Sequence, residues 1–322
     1  VSVDGTGTWS SSQITSYTYG TLTSSGGTLT LSGLTDAAGS SFVVSGGGTL
    51  SLPALTSYVG WTNGTTTLQA TGTGSVLLLP HLTSLTVDAG SYYSRTQVQA
   101  LSGGTVDLSA LPQISGGPAL LTSDGAGSVL NVPALSGFSG HTGQGYYSTL
   151  HAKGAGAIVL STGTVSLTQV DVGVQNTGTI TAGTLDLTSG TFWGNSTLQA
   201  NVINHGGQVY PGSSGTGTLT INGSFTEYPA GVLNVSIGGK AAGQFDQLAV
   251  TGTATLNGTL NVGLVNGANS HNTWAGGNAL VVSNAGSSVT LSSLYLGYIG
   301  STGYATNRSA DNNTAVVNDG GV

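Results

Sequence analysis

One phrase recurs along this chain and limits what it can fold into. It runs Gly, one or two variable residues, aliphatic, variable, aliphatic, Pro or Ser, variable, aliphatic. It reads GTLTLSGL from Gly27, GTLSLPAL from Gly48, GSVLLLPHL from Gly74, GTVDLSAL from Gly104, GSVLNVPAL from Gly127 and GTVSLTQV from Gly163. Shorter echoes are GTLDLTSG from Gly183 and GTLTINGSF from Gly217. Repeats at such spacings belong to solenoids and arrays. Alternation inside each phrase has period two, the pattern of a strand with one buried face. No 3.6-residue pattern competes with it, and Gly and β-branched residues are poor helix formers.

Aligned, the phrases give vertical sets. One is Leu31, Leu52, Leu79, Leu108, Val132 and Leu167; a second is Leu29, Leu50, Leu77, Val106, Leu130 and Val165. A third is Leu34, Leu55, Leu82, Leu111, Leu135 and Val170. A second strand precedes most phrases, as at Phe42–Val44, Leu68–Ala70, Val98–Ala100 and Leu150–Ala152. Gly-rich corners such as SGGG at Ser45 and TGTG at Thr71 permit positive φ and tight turns. The expectation is an all-β chain wound as a parallel β-helix (β-solenoid), with two or three strands per coil. Each inward aliphatic then lies on its counterpart ~4.8 Å away, and neighbouring coils supply one another's partners. About 13 such coils would span ~60 Å. A β-sandwich is the alternative, and it would need antiparallel hairpins that in-phase sets do not favour.

Composition narrows the function classes. Only 5% of the 322 residues are charged, with 4 Lys+Arg against 11 Asp+Glu and a net charge of -7. So few cations give phosphates little to hold, which argues against nucleic acid as a partner. With no Cys there are no disulfides, thiolate metal sites or cysteine nucleophiles. No apolar run approaches the ~18 residues of a membrane helix. The chain starts at Val1 and contains no Met; it reads as matured and exported, its signal peptide removed. Sparse charge and absent Cys also suggest indifference to salt, pH and redox state.

From about Gly178 the phrases shorten, which divides the chain into 1–177, with longer coils, and 178–322, with shorter repeats. The stretch Pro211–Phe225, GVLNVSIGG from Gly231 and FDQLAVTGTATLNGTLNV from Phe245 resemble the C-terminal halves of bacterial autotransporter passengers and related adhesin-type β-solenoid proteins. SSLYLGYIGSTGYA from Ser292 resembles another repeat of that kind. The resemblance covers roughly residues 160–300. It implies a right-handed parallel β-helix on the bacterial surface or outside the cell. No stretch of residues 1–322 resembles the membrane barrel that follows such passengers, so tethering by that route is not the expectation.

The search for chemistry points away from catalysis. Asp107 and Asp186 share an outward position in their phrases but lie several coils apart, whereas glycosidases need carboxylates within ~5–10 Å. Arg95, Lys153, Lys240 and Arg308 are too sparse to hold a polyuronate. His81, His141, His151, His205 and His271 show no metal-ligand spacing. No GxSxG elbow, Walker loop or dinucleotide fingerprint occurs. The expectation is no enzyme, no metal and no cofactor.

Extra length in the coils carries aromatics: Tyr58 and Trp61, Tyr92 and Tyr93, then Phe138, Tyr146 and Tyr147. Loops inserted at one corner of a solenoid project from one side, often the binding side. Flat rings there suit sugars or another protein. Uncapped strand edges pair with other chains, so Val1 and Val3 at one end and Val316 and Val317 at the other are candidate assembly positions. Together these give an extracellular structural or adhesive protein, a filament or surface-layer subunit joined head to tail. Surface glycans are the second candidate partner. The alternative is a carbohydrate-binding or glycan-degrading β-helix.

Overall fold

The computed structural model describes residues 1–4, 11–87, 93–140, 147–213, 215–238 and 241–264, with the strands Ala279–Ser283, Ser288–Val289, Ser293–Tyr298 and Thr314–Asn318. Among these, one parallel sheet has 13 strands and a second has 18. The pairing is parallel, apart from isolated antiparallel bridges at Gly194–Gly212 and Ile237–Phe245. That excludes the sandwich and gives a parallel β-helix.

The second sheet is two faces of the coil. Thr179–Leu187 turns a corner as one strand: its first residues pair with Ala157–Val159 and its last with Thr164–Thr168. Thr197–Asn204 follows it, with a register shift between Thr181 and Thr184. Each coil therefore has three sides. The first side holds strands such as Thr65–Thr71 and Arg95–Leu101, the second Val76–Leu78 and Thr105–Asp107, and the third Ser84–Val87 and Gln113–Gly116.

Columns of apolar side chains fill the interior. On the first side the column runs Leu22, Phe42, Leu68, Val98, Leu121, Leu150, Val172, Phe192, Val209, Leu233 and Leu260. On the second, Leu50, Leu77, Val106, Leu130, Ile158, Ile180 and Leu198 stack in register. Nearly all of these are fully buried. Each contributes roughly 1.5–3 kcal/mol of burial, so the stack holds by summation along its length. Gly at the corner between the first two sides lets successive backbones close up. A Cβ on Gly104 would lie 2.3 Å from the Ala70 carbonyl oxygen, and Gly46, Gly47, Gly72 and Gly74 have positive φ.

The phrase at Gly163 corrects the aligned sets. Leu130 stacks on Ile158, not Val165, and the amide of Leu160 repeats the corner bond that Val132 makes to the coil above. Val165 and Leu167 belong to the third side, opposite Leu185 and Leu187. Val170 lies on the first side, opposite Ser148. All three sides require the same alternation, so the spelling of a phrase does not say which side it occupies. Asp107 and Asp186 likewise sit on different sides. Pairing continues across Gly178, where Ile158 faces Ile180 and Val172 faces Phe192.

Candidate functional site

The inserts hold more than loops. Ser57–Val59, Ser84–Val87, Gln113–Gly116 and Gly137–Ser139 form the third side, and its inward column is Tyr58, Leu85, Ile114, Phe138, Leu167 and Leu187. Tyr58 is thus a core residue, 1% exposed, not a binding-loop ring. Its hydroxyl donates to the Ser40 carbonyl at 2.7 Å, and burial pushes its ionisation up, against a smaller opposing effect of Thr66. Phe138 is buried in the same column.

Of the other exposed rings, Tyr210 lies in the first-side strand Gln208–Pro211, and five more lie along one corner. Tyr19, Trp61, Tyr93, Tyr147 and Tyr228 are all exposed, and each lies at the corner where the third side passes to the first. They precede the strands Thr21–Ser25, Thr65–Thr71, Arg95–Leu101, Ser148–Lys153 and Val232–Ile237. Glycines make room for them. The Tyr19 ring occupies the space of a Cβ on Gly39, and the Trp61 ring that of a Cβ on Gly64. Across the bare Gly39 coil, Tyr19 and Trp61 meet edge to face at 6.5 Å. Near the far end, His205 stacks on Tyr228 at 4.4 Å and its Nδ1 lies 2.7 Å from Asp186 Oδ1. Tyr19 and Tyr228 were not singled out from sequence, because neither lies in a long insert. Tyr92 and Tyr146 lie outside the described residues.

Above Tyr147 the corner changes character. Only Gln169 separates Thr164–Thr168 from Val170–Gln175, and two residues separate Thr179–Leu187 from Gly190–Gly194. These short corners recede, and Tyr147 walls a cleft of about 420 Å³ over Gly190 and Gly206, bordered by Gln169, Asp171 and Gln208. Asp171 ties the first side to it. His151 Nε2 lies 3.1 Å from its Oδ2, and Trp193 Nε1 donates to its Oδ1 at 2.5 Å. The Thr191 hydroxyl donates to the same oxygen. Burial raises the Asp171 pKa, but the bonds and charge of His151 and the donors Thr191 and Trp193 outweigh it and hold the carboxyl below its usual range. Trp193 meets His151 edge to face at 5.4 Å. Both rings need Gly173 bare, since a Cβ there would come within 2.8 Å of Trp193 and 2.9 Å of His151. Sequence reading left His151 and Asp171 as separate polar residues. The usable signal was their equal parity on adjacent first-side strands, with Gly173 opposite His151.

Val1 and Val3 flank or lie in the outermost strand of the 13-strand sheet, Ser2–Val3, paired with Thr23 and Ser24. Val316 and Val317 belong to a separate two-stranded parallel ladder, opposite Val281 and Val282. Among the described residues no group of three or more His, Asp or Glu is placed to hold a metal ion. No described helix is long and apolar enough to cross a membrane.

No family model matches the chain, and no solved structure does. A stretch of 65 residues is 45% identical to an autotransporter adhesin, BmaC, of Brucella suis biovar 1 (strain 1330). It covers 19% of this chain and 2% of that protein. The likeness is thus to a small part of a much longer adhesin.

Proposed function

We propose that this chain is an extracellular adhesive β-helix that binds through its aromatic corner. The observation that carries the reading is the placement of Tyr19, Trp61, Tyr93, Tyr147 and Tyr228 along one corner of the stack. Exposed apolar rings scattered singly need no explanation, but rings gathered on one edge mark a contact surface. Hydrogen-bonded coils make that edge stiff, so little conformational freedom is lost when a partner lands on it. Similarity to part of an autotransporter adhesin supports a place on the cell exterior. The mechanism is binding rather than catalysis: the clustered polar side chains on the first side bond to one another.

The test is retention of the protein on immobilised glycans, mucin, collagen and fibronectin. The triple variant Tyr19→Ala, Trp61→Ala, Tyr93→Ala is expected to lose at least about tenfold in affinity, as central aromatic anchors do. Retention equal to that of the unchanged protein would refute the reading. Homopolymer growth is a second reading, favoured by the Ser2–Val3 edge strand. Light scattering across a concentration series tests it, with Ser2→Pro expected to block growth by removing the donor that faces the open edge; a constant monomer mass sinks it.

A further inference from the structure

The cleft beside Tyr147 has features that the rest of the aromatic corner lacks, and the inference drawn from it rests on the corner being the binding side. We propose that this cleft is a binding site for an uncharged saccharide, one or two rings of a longer neutral glycan.

Three observations carry this. The first is size: about 420 Å³ falls within the roughly 300–1,000 Å³ of small-ligand sites. The second is the lining. Tyr147 offers a 60% exposed ring at the wall, and Gly190 and Gly206 leave the floor without side chains. Gln169 and Gln208 border it with amides, which both donate and accept. The Gln208 oxygen already accepts the Tyr210 hydroxyl, so its NH₂ remains to donate. A ring face beside uncharged donors and acceptors matches a sugar, which has apolar C–H faces and a rim of hydroxyls.

The third observation is charge. Among the described residues no Lys or Arg lines the cleft, so a uronate or sialylated glycan finds no cation and meets the Asp171 carboxylate. A cationic ligand fares little better, because His151, Thr191 and Trp193 already satisfy that carboxylate. The same three bonds hold Asp171 in place at the cleft wall before any ligand arrives. Pre-set geometry of this kind lowers the ordering cost of binding.

The test uses the full chain with cellohexaose, maltohexaose and chitohexaose as neutral probes and hexagalacturonate as the acidic one, read by calorimetry and saturation-transfer NMR. At least one neutral probe is expected to bind, with saturation transfer to its ring C–H protons, while hexagalacturonate does not. Gln208→Ala, at an exposed position that the fold does not need, should weaken binding about tenfold. Tyr147→Ala, which removes the ring at the wall, should weaken it at least as much. Asp171→Asn should weaken it less and shift the indole N–H resonance of Trp193. Failure of all three neutral probes, equal binding of hexagalacturonate, or indifference to Gln208→Ala would overturn the proposal. Adhesion lost in the Tyr19, Trp61, Tyr93 variant while the unchanged protein ignores every hexasaccharide would sink the saccharide site and leave the adhesive reading standing.

Discussion

The third side of the coil is built differently in its two halves. From Tyr58 to Leu187 its inward column is Tyr58, Leu85, Ile114, Phe138, Leu167 and Leu187, apolar at every step and closed at one end by a bonded tyrosine hydroxyl. The next two positions are Asn204 and Glu227, both buried, before the column returns to Leu256. Asn204 is well satisfied: its amide donates to the Gly207 carbonyl and to Glu227 Oε1, and its oxygen accepts the Gly207 amide. Glu227 is not, since its second oxygen is buried without a partner among the described residues. Burial pushes its carboxyl up to about 7, against a smaller lowering by Asn204. The same architecture thus tolerates a polar layer only where corner glycines leave space: a Cβ on Gly231 would crowd both Asn204 and Glu227.

This contrast can be broken most forcefully by moving a carboxylate into the apolar half. Phe138→Glu removes a buried ring and adds an unpaired charge, and should cost about 5 kcal/mol, visible as collapse of the urea midpoint followed by circular dichroism. Next in size is the titration of Glu227. Its folded-state pKa lies above its unfolded one, so stability is full below 4.5 and declines as pH rises through about 7. The loss approaches about 3 kcal/mol. Glu227→Gln should flatten urea midpoints measured between pH 4 and 8. This runs against the indifference to pH that sparse charge suggests, because one buried carboxyl outweighs many exposed ones.

Tyr58→Phe sharpens the other half. It keeps the ring but removes the bond to the Ser40 carbonyl, and should cost about 1 kcal/mol in the same urea titration. Smallest is Asp171, where the sign reverses. Its pKa is lowered on folding, so its contribution is present above the ordinary carboxylate range and lost as pH falls through the depressed value. Asp171→Asn should lower the urea midpoint at neutral pH by less than Tyr58→Phe does and leave it unchanged in acid. A pH profile with the same slope for both carboxyls would contradict the assigned environments.

Much of the first two sides was legible in the residues. Leu50, Leu77, Val106 and Leu130 line up by phrase alone, and the Gly corners announce the turns. The third side was harder to see. Ser57–Val59 and Gly137–Ser139 lie outside the recurring phrase and inside stretches of variable length, so Tyr58 and Phe138 read as loop aromatics. Trp61, Tyr93 and Tyr147 were found because length was inserted around them. Asp171, His151 and Trp193 were not, because they are 20 and 22 residues apart and meet only across stacked strands.

Local alternation and corner glycines by themselves determined that the chain would coil in parallel around aliphatic columns, because each strand needs one buried face and neighbouring strands share the same inward set. Registration between coils decided the rest: which side each phrase occupies, where Asn204 and Glu227 interrupt the core, and how the rings and the Asp171 cluster assemble along one corner. Coil length varies, so residues that end up ~4.8 Å apart carry no fixed separation in the chain, and only the folded stack brings them together.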